Sequence, residues 1–260
     1  MNIVVCVKYV PDAQAERGFE DDFTTDRVGV DGLLSELDEY AVEEALKLAE
    51  GSDGGEVTVL TIGPEAAADA IKKALQMGAD KGIHVSDEAI AGSDAFGTSL
   101  VLAEAIKKVG TPDLVLAGMS STDGSMGVLP AMLAERLGLP QVTMAAEITV
   151  ADGKITARRD GDAASETIAA SLPALVSVTD QINEPRYPSF KGIMAAKKKP
   201  VETWSLADLG VDPGSVGLAG AYTAVVGVTK RPPREQGEIV TDEGDGGTKL
   251  AAFLSARKFI

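Results

Sequence analysis

An α/β fold built on a doubly wound, mostly parallel sheet follows from three features of the sequence. Short β-branched runs alternate with helical segments. The runs are apolar throughout rather than at every second position. Aliphatic residues and alanine dominate, while aromatics make up 4% of the chain. Continuous apolar runs suit strands covered on both faces, and strand-then-helix alternation suits a parallel sheet with helices on both sides. At 260 residues, folding removes roughly three-quarters of the unfolded chain's surface from water, which allows a substantial core.

Asn2–Val7 reads as the first buried strand, broken by Pro11-Asp12 and followed by a polar stretch to Gly32. A helix begins near Ser35, a residue type suited to the N-cap. On it Leu37, Tyr40, Ala41, Ala45, Leu48 and Ala49 share one face, with Glu36, Glu39, Glu43 and Lys47 mostly outside it. Glu56–Ile62 is the second strand. Pro64 and Gly78 bracket the next helix, because proline suits a helix start and glycine suits the position past its end. Lys81–Val85 is the third strand. Ser93 is the expected cap of a helix that turns Leu100, Val101, Ala105 and Ile106 inward and stops at Gly110. Asp113–Ala117 is the fourth strand, and a fourth helix spans about Ser125–Leu137, closed by Gly138 and Pro140.

After Pro140 the rhythm changes. Val142–Val150 and Lys154–Arg159 flank Asp152-Gly153, a strong hairpin signal, so an antiparallel edge is expected. Ala174–Thr179 is a further strand. In 183–188, Pro185 and Pro188 interrupt regular structure. Val211–Val228 reads as irregular to extended, Pro232-Pro233 and the Gly- and Asp-rich stretch 242–247 as linker, and Thr248–Phe259 as a terminal helix. The expected organisation is a nucleotide-binding α/β domain over 1–228, with a linker and C-terminal helix over 229–260.

The net charge of −16 repels nucleic acid and anionic lipid, which argues against either as a partner. Cys6 is the single cysteine and His84 the single histidine, so an internal disulfide and a cysteine-based zinc site are excluded. The N-terminus lacks a cationic segment and no long apolar run occurs, so a cytoplasmic location without membrane insertion is expected.

The loop Gly118–Gly127 follows a buried strand and precedes a helix, where open α/β sheets bind ligands. Exposed N–H groups and the positive helix end there suit a phosphate, and Ser120, Ser121, Thr122 and Ser125 add hydroxyls. An ordinary Gly- and Ser-rich connection fits the same residues. No lysine follows the glycines as in a P-loop, and the first strand leads into Lys8-Tyr9-Val10-Pro11-Asp12 rather than Gly-x-Gly-x-x-Gly. The Gly63-Pro64 turn closes the second strand at the same edge. His84 and Cys6 read as structural, and no nucleophile, base or metal set can be assembled, which favours a binding or carrier role over catalysis. In 183–199, Phe190 and Met194 stand between lysines in an otherwise acidic chain. A docking anchor and side chains folded back into the core are both compatible with that pattern.

The chain resembles the β subunit of the electron-transfer flavoproteins over essentially its whole length. The resemblance is carried by Val5–Asp12, Asp38–Ala45, Ala74–Asp80, Ser121-Thr122-Asp123-Gly124 with Leu139-Pro140-Gln141, Ile182–Tyr187 and Ile193–Lys199. It implies a heterodimer in which a larger α subunit carries the redox-active FAD and the β subunit buries one AMP that does not turn over. It further implies docking of acyl-CoA and related dehydrogenases, as in fatty acid β-oxidation, with electrons passing on to a membrane quinone oxidoreductase. The family's AMP site maps onto Cys6, Val7, Lys8, Ser35 to Asp38, Ile62, Gly63, Asp123, Gly124, Ser125, Met126, Gly127, Val128 and Leu129. Its dehydrogenase-recognition loop maps onto Pro188–Ala196, making Arg186, Tyr187, Phe190, Ile193, Met194 and Lys197 the expected docking residues. Phe190 stands where a leucine often anchors the dehydrogenase, Ala195 where some members have lysine, and Asp38 where some have a neutral residue. Bifurcating members instead hold a second FAD in this crevice and oxidise NADH. An ATP-pyrophosphatase-like ligase would need a phosphate loop after the first strand. A stand-alone nucleotide sensor would need neither the basic loop nor the tail, which is expected to pack on the α subunit.

Overall fold

The computed structural model describes residues 1–52, 54–233, 236–237 and 239–260. They form two compact units, Met1–Val226 and Gly227–Ile260. Three positions of the expected linker (234, 235 and 238) lie outside the described residues.

The first unit runs β1 (Asn2–Cys6), β2 (Tyr9–Pro11), β3 (Gly32–Leu34), α1 (Glu36–Glu50), β4 (Glu56–Ile62), α2 (Ala68–Met77), β5 (Lys81–Val85), α3 (Ala95–Val109), β6 (Leu114–Gly118) and α4 (Leu129–Leu137). It continues through β7 (Gln141–Ala151), β8 (Lys154–Asp160), β9 (Ser165–Ser171), β10 (Ala174–Val178), α5 (Phe190–Ala196), β11 (Val201–Trp204), α6 (Leu206–Leu209) and α7 (Gly217–Gly220). The second unit contains α8 (Gly246–Ala256).

A nine-stranded sheet has the order β11-β5-β4-β1-β6-β10-β7-β8-β9. Parallel pairing runs from β11 to β7, and β8 and β9 add an antiparallel edge. Period-two alternation sorts β1 onto two cores. Ile3, Val5 and Val7 face α1 and α2, whereas Val4 and Cys6 face α3 and α4. Helices therefore cover both faces, as the apolar runs predict. After β1 the chain steps outward to β4 and β5, then returns to place β6 on the other side of β1. The strand order thus reverses between β1 and β6, which opens a crevice beyond their C-terminal ends.

Several expectations need correction. Asp94, not Ser93, caps α3, its carboxylate accepting from the N–H groups of Phe96 and Gly97. The fourth helix begins at Leu129 rather than near Ser125, which lengthens the loop after β6. Ala174–Val178 is a central parallel strand buried along its length, and only the Asp152-Gly153 hairpin and β9 make the edge. Glu43 is buried, because the face of α1 that meets the protein includes Val42, Glu43, Glu44 and Leu46. Val211–Val228 holds a 3-10 turn at Pro213–Ser215 and the short α7. The β2–β3 ribbon, β9, β11, α5 and α6 were not foreseen, being short or lacking a continuous apolar run.

Candidate functional site: a crevice at the sheet switch point and an apolar docking helix

The chain leaves β1 and passes directly over the start of α1. The Lys8 N–H donates to Asp38 Oδ2 at 2.8 Å, the Ser35 N–H donates to the Lys8 carbonyl at 2.8 Å, and the Asp38 N–H donates to the Ser35 carbonyl at 2.9 Å. Ser35 occupies the N-cap position of α1 without capping through its side chain, and its buried Oγ has no hydrogen-bond partner. Neighbouring β4 is tied in through Thr61 Oγ1, which donates to the Val7 carbonyl at 2.8 Å. Gly63 is held by its N–H to the Val85 carbonyl, and His84 Nε2 lies 3.0 Å from the Gly63 carbonyl, a structural role for that ring.

The loop after β6 closes the crevice. Asp123 is its hub: Lys8 Nζ lies 2.8 Å from Oδ1 and Arg27 Nη2 lies 2.6 Å from Oδ2, with the carboxylate 2% exposed. Arg17 bonds the Thr122 carbonyl at 2.6 Å and the Asp123 carbonyl at 3.3 Å. Segment 12–31 thus straps this loop with two arginines, a role with no motif to announce it. Beyond Asp123 the backbone turns at Ser125 (φ +51°) and Gly127 (φ +66°) before α4 starts with a proline in its first turn. The N–H groups of Met126, Gly127, Val128 and Leu129 have no protein acceptor among the described residues. Thr122 Oγ1 is buried and unpartnered.

Two carboxylates here are displaced in opposite directions. Burial pushes Asp38 up to about 7, against the N–H and charge of Lys8. Burial also acts on Asp123, but Lys8, Ser121 and Arg27 outweigh it and hold that carboxyl well below the usual range. Cys6 is pushed up to about 12 by burial and by Asp38, so its thiol is inert. Among the described residues no group of three or more His, Cys, Asp or Glu could hold a metal ion.

Every residue expected at the nucleotide site lies at this edge, and hydrogen bonds join Lys8, Ser35, Asp38 and Asp123. Chemically the crevice offers unpaired backbone donors at a helix start, two unpartnered hydroxyls, two cations on one carboxylate and a third on the loop carbonyls beside it. That donor set fits a phosphate group. A separate concavity of about 590 Å³ is lined by Phe96, Arg136, Asp212 and Tyr222. Its cation is already engaged, Arg136 bonding Ser99 Oγ and the Phe96 carbonyl.

Of the residues expected to dock, Arg186 and Tyr187 precede α5, Phe190, Ile193 and Met194 lie on it, and Lys197 follows it. Tyr187 is 91% and Phe190 81% exposed, and Ile193 and Met194 are also exposed. The side chains therefore point away from the core. Lys197 is exposed as well. Arg186 differs, since its guanidinium is bonded to Glu43 and Glu50 of α1.

Residues 22–209 match the electron transfer flavoprotein domain. The chain is 50% identical over its whole length, and over 99% of the relative, to the electron transfer flavoprotein subunit beta of Mycobacterium tuberculosis. The corresponding subunit of Mycobacterium leprae is 52% identical with the same coverage. The caffeyl-CoA reductase-Etf complex subunit CarD of Acetobacterium woodii is 37% identical over 93% of this chain and 92% of that protein. The chain belongs to the electron transfer flavoprotein beta-subunit family.

Sequence reasoning missed the residues that hold the two regions in place: Arg17 and Arg27 over the crevice, and Glu43, Glu50 and Lys199 behind α5. Isolated charges in polar segments carry no periodic signal. Asn183 could have been found, since it sits inside the Ile182–Tyr187 run that carries the resemblance, whereas Arg186 was expected at the docking surface and instead spends its guanidinium on Glu43 and Glu50.

Proposed function

We propose that this chain is the β subunit of a heterodimeric electron transfer flavoprotein that holds one AMP in the β1–β6 crevice and docks acyl-CoA-type dehydrogenases on α5. Electrons then pass to FAD on the α subunit and onward to a membrane quinone oxidoreductase. The observation that carries the nucleotide reading is the run of unpaired N–H groups at 126–129, backed by Lys8 and the unpartnered Ser35 and Thr122 hydroxyls. FAD supplies the one-electron chemistry when bound to the partner. This chain's residues hold the phosphate and position the dehydrogenase.

AMP here is structural. Its phosphate takes up the backbone donors at the helix start, and its binding stabilises the folded state by mass action. Isolating the tagged chain with whatever co-purifies, denaturing it with acid and identifying the released nucleotides tests this. One AMP and one FAD per pair, with a larger second polypeptide, is the expected result. Two FAD and no AMP would place a flavin in this crevice and make the chain a direct party to hydride transfer. No flavin and no partner would overturn the carrier reading.

A further inference from the structure

We infer that Asn183, Arg186 and Lys199 are positioning residues that lock α5 in its docking pose, and that Arg186 does not itself touch the dehydrogenase. The inference rests on the docking role proposed for α5.

The geometry upstream of α5 is that of a latch. Arg186 Nε lies 2.7 Å from Glu43 Oε2, and Nη2 lies 3.0 Å from Glu43 Oε1. Nη1 lies 2.6 Å and Nη2 3.2 Å from the Glu50 oxygens. The backbone N–H of Arg186 adds a third bond to Glu43, at 3.1 Å. The guanidinium fork is spent on two carboxylates two turns apart on α1, which leaves little donor capacity for a partner. Glu43 is 8% exposed, so its charge is tolerated there because Arg186 answers it. Three residues earlier, Asn183 Nδ2 donates to the Tyr40 carbonyl and to Glu44 Oε2, each at 3.0 Å.

Downstream, Lys199 Nζ donates to the carbonyls of Leu75, Gly78 and Ala79 at 3.2, 2.8 and 2.5 Å. All three ammonium donors are used to close the C-terminal end of α2, where a cation is favoured by the helix dipole. Between the latches α5 lies close on α2, for a Cβ at Gly192 would meet the Gln76 carbonyl at 2.5 Å. Polar residues therefore grip the segment from α1 on one side and α2 on the other, while Tyr187, Phe190 and Met194 stand in solvent. Holding those side chains ready before contact removes an ordering cost that docking would otherwise carry.

The test uses the intact heterodimer and reads the Michaelis constant for a reduced dehydrogenase, kcat, nucleotide content and amide exchange over 187–196. Arg186→Gln should raise KM about tenfold, a factor equivalent to about 1.4 kcal/mol of docking energy. It should leave kcat and nucleotide content unchanged and quicken exchange in α5. Arg186→Lys should recover part of the loss. Should Arg186→Gln fail to fold, Glu50→Gln removes one arm of the fork while Glu43 stays paired, and should raise KM about two- to threefold by the same conversion. Phe190→Ala separates the two ideas. If it raises KM while the Arg186 and Glu50 variants bind and exchange normally, the positioning inference is wrong. If Phe190→Ala leaves KM unchanged, the docking role of α5 is wrong.

Discussion

Asp38 and Asp123 end on the same lysine yet sit on opposite sides of the carboxylate norm. Asp38 accepts a backbone N–H from Lys8 in a site that excludes water, and burial wins. Asp123 receives the Lys8 ammonium and the Arg27 guanidinium directly, and the cations win. The consequences for stability differ in sign. The folded protein binds the Asp38 proton up to about pH 7, whereas the unfolded chain releases it near the ordinary value, about 3.9. Stability therefore falls between those two values and levels off above about 7, with a total effect on the order of 4 kcal/mol. Asp38→Asn keeps an acceptor for the Lys8 N–H, so it should flatten the melting-temperature profile between pH 4 and 7 and stabilise the protein at pH 8. Profiles that stay parallel would show that Asp38 ionises without penalty. Asp123 contributes in the opposite sense, its stabilisation being present above the ordinary carboxylate range and lost only on strong acidification. Asp123→Asn leaves two cations facing a neutral amide. It should cost about 2–3 kcal/mol in denaturant unfolding and weaken nucleotide retention.

At the scale of elements, the crevice depends on how closely β6 passes α1. A Cβ on Gly118 would lie 2.5 Å from Asp38 Oδ1 and 2.8 Å from the Leu37 carbonyl. Gly118→Ala must therefore push α1 away from the sheet. It should destabilise by about 1–3 kcal/mol, as overpacking does, and lower nucleotide content in the same preparation. Retained nucleotide at wild-type stability would mean that the helix start yields freely. The same helix shows why part of the fold was unreadable beforehand. The strands β1 and β4 were recognisable because nearly continuous β-branched runs belong to strands covered on both sides. The burial of Glu43 and Glu44 on α1 was not, since an amphipathic pattern assigns acids to water. Their burial depends on Arg186 and Asn183, about 140 positions along the chain. Likewise β11 joins β5 through backbone pairing of a mostly exposed four-residue segment, for which local composition holds no signal.

For the molecule as a whole, the field is strongly negative, yet Lys191, Lys197 and Lys198 cluster on and beside α5. Electrostatic steering toward an acidic partner face acts mainly on association rate and is screened within about 10 Å at 0.1 M salt. Lys197→Glu with Lys198→Glu should accordingly slow association most at low salt, while Phe190→Ala should speed dissociation at every salt concentration. Stopped-flow mixing with a dehydrogenase distinguishes the two. The unit Gly227–Ile260 presents exposed Leu250, Phe253, Phe259 and Ile260, an apolar content expected of a segment covered by the α subunit. Removing it should abolish co-purification of that subunit while Met1–Val226 still melts cooperatively. A normal heterodimer yield after removal would overturn the assignment.

Strand runs, helix ends marked by Gly78, Gly110 and Gly138, and the Asp152-Gly153 hairpin were written in local chemistry, and with them the doubly wound sheet and the edge at which a ligand would bind. Periodicity and turn propensity act over a few residues, so one sequence displays them. The straps over the crevice, the opposite displacements of Asp38 and Asp123, and the latch from Arg186 to Glu43 and Glu50 required the folded chain. Each joins charges from distant segments in a place that water has left. Burial and distance set the strength of such pairs, and neither exists until the elements have packed.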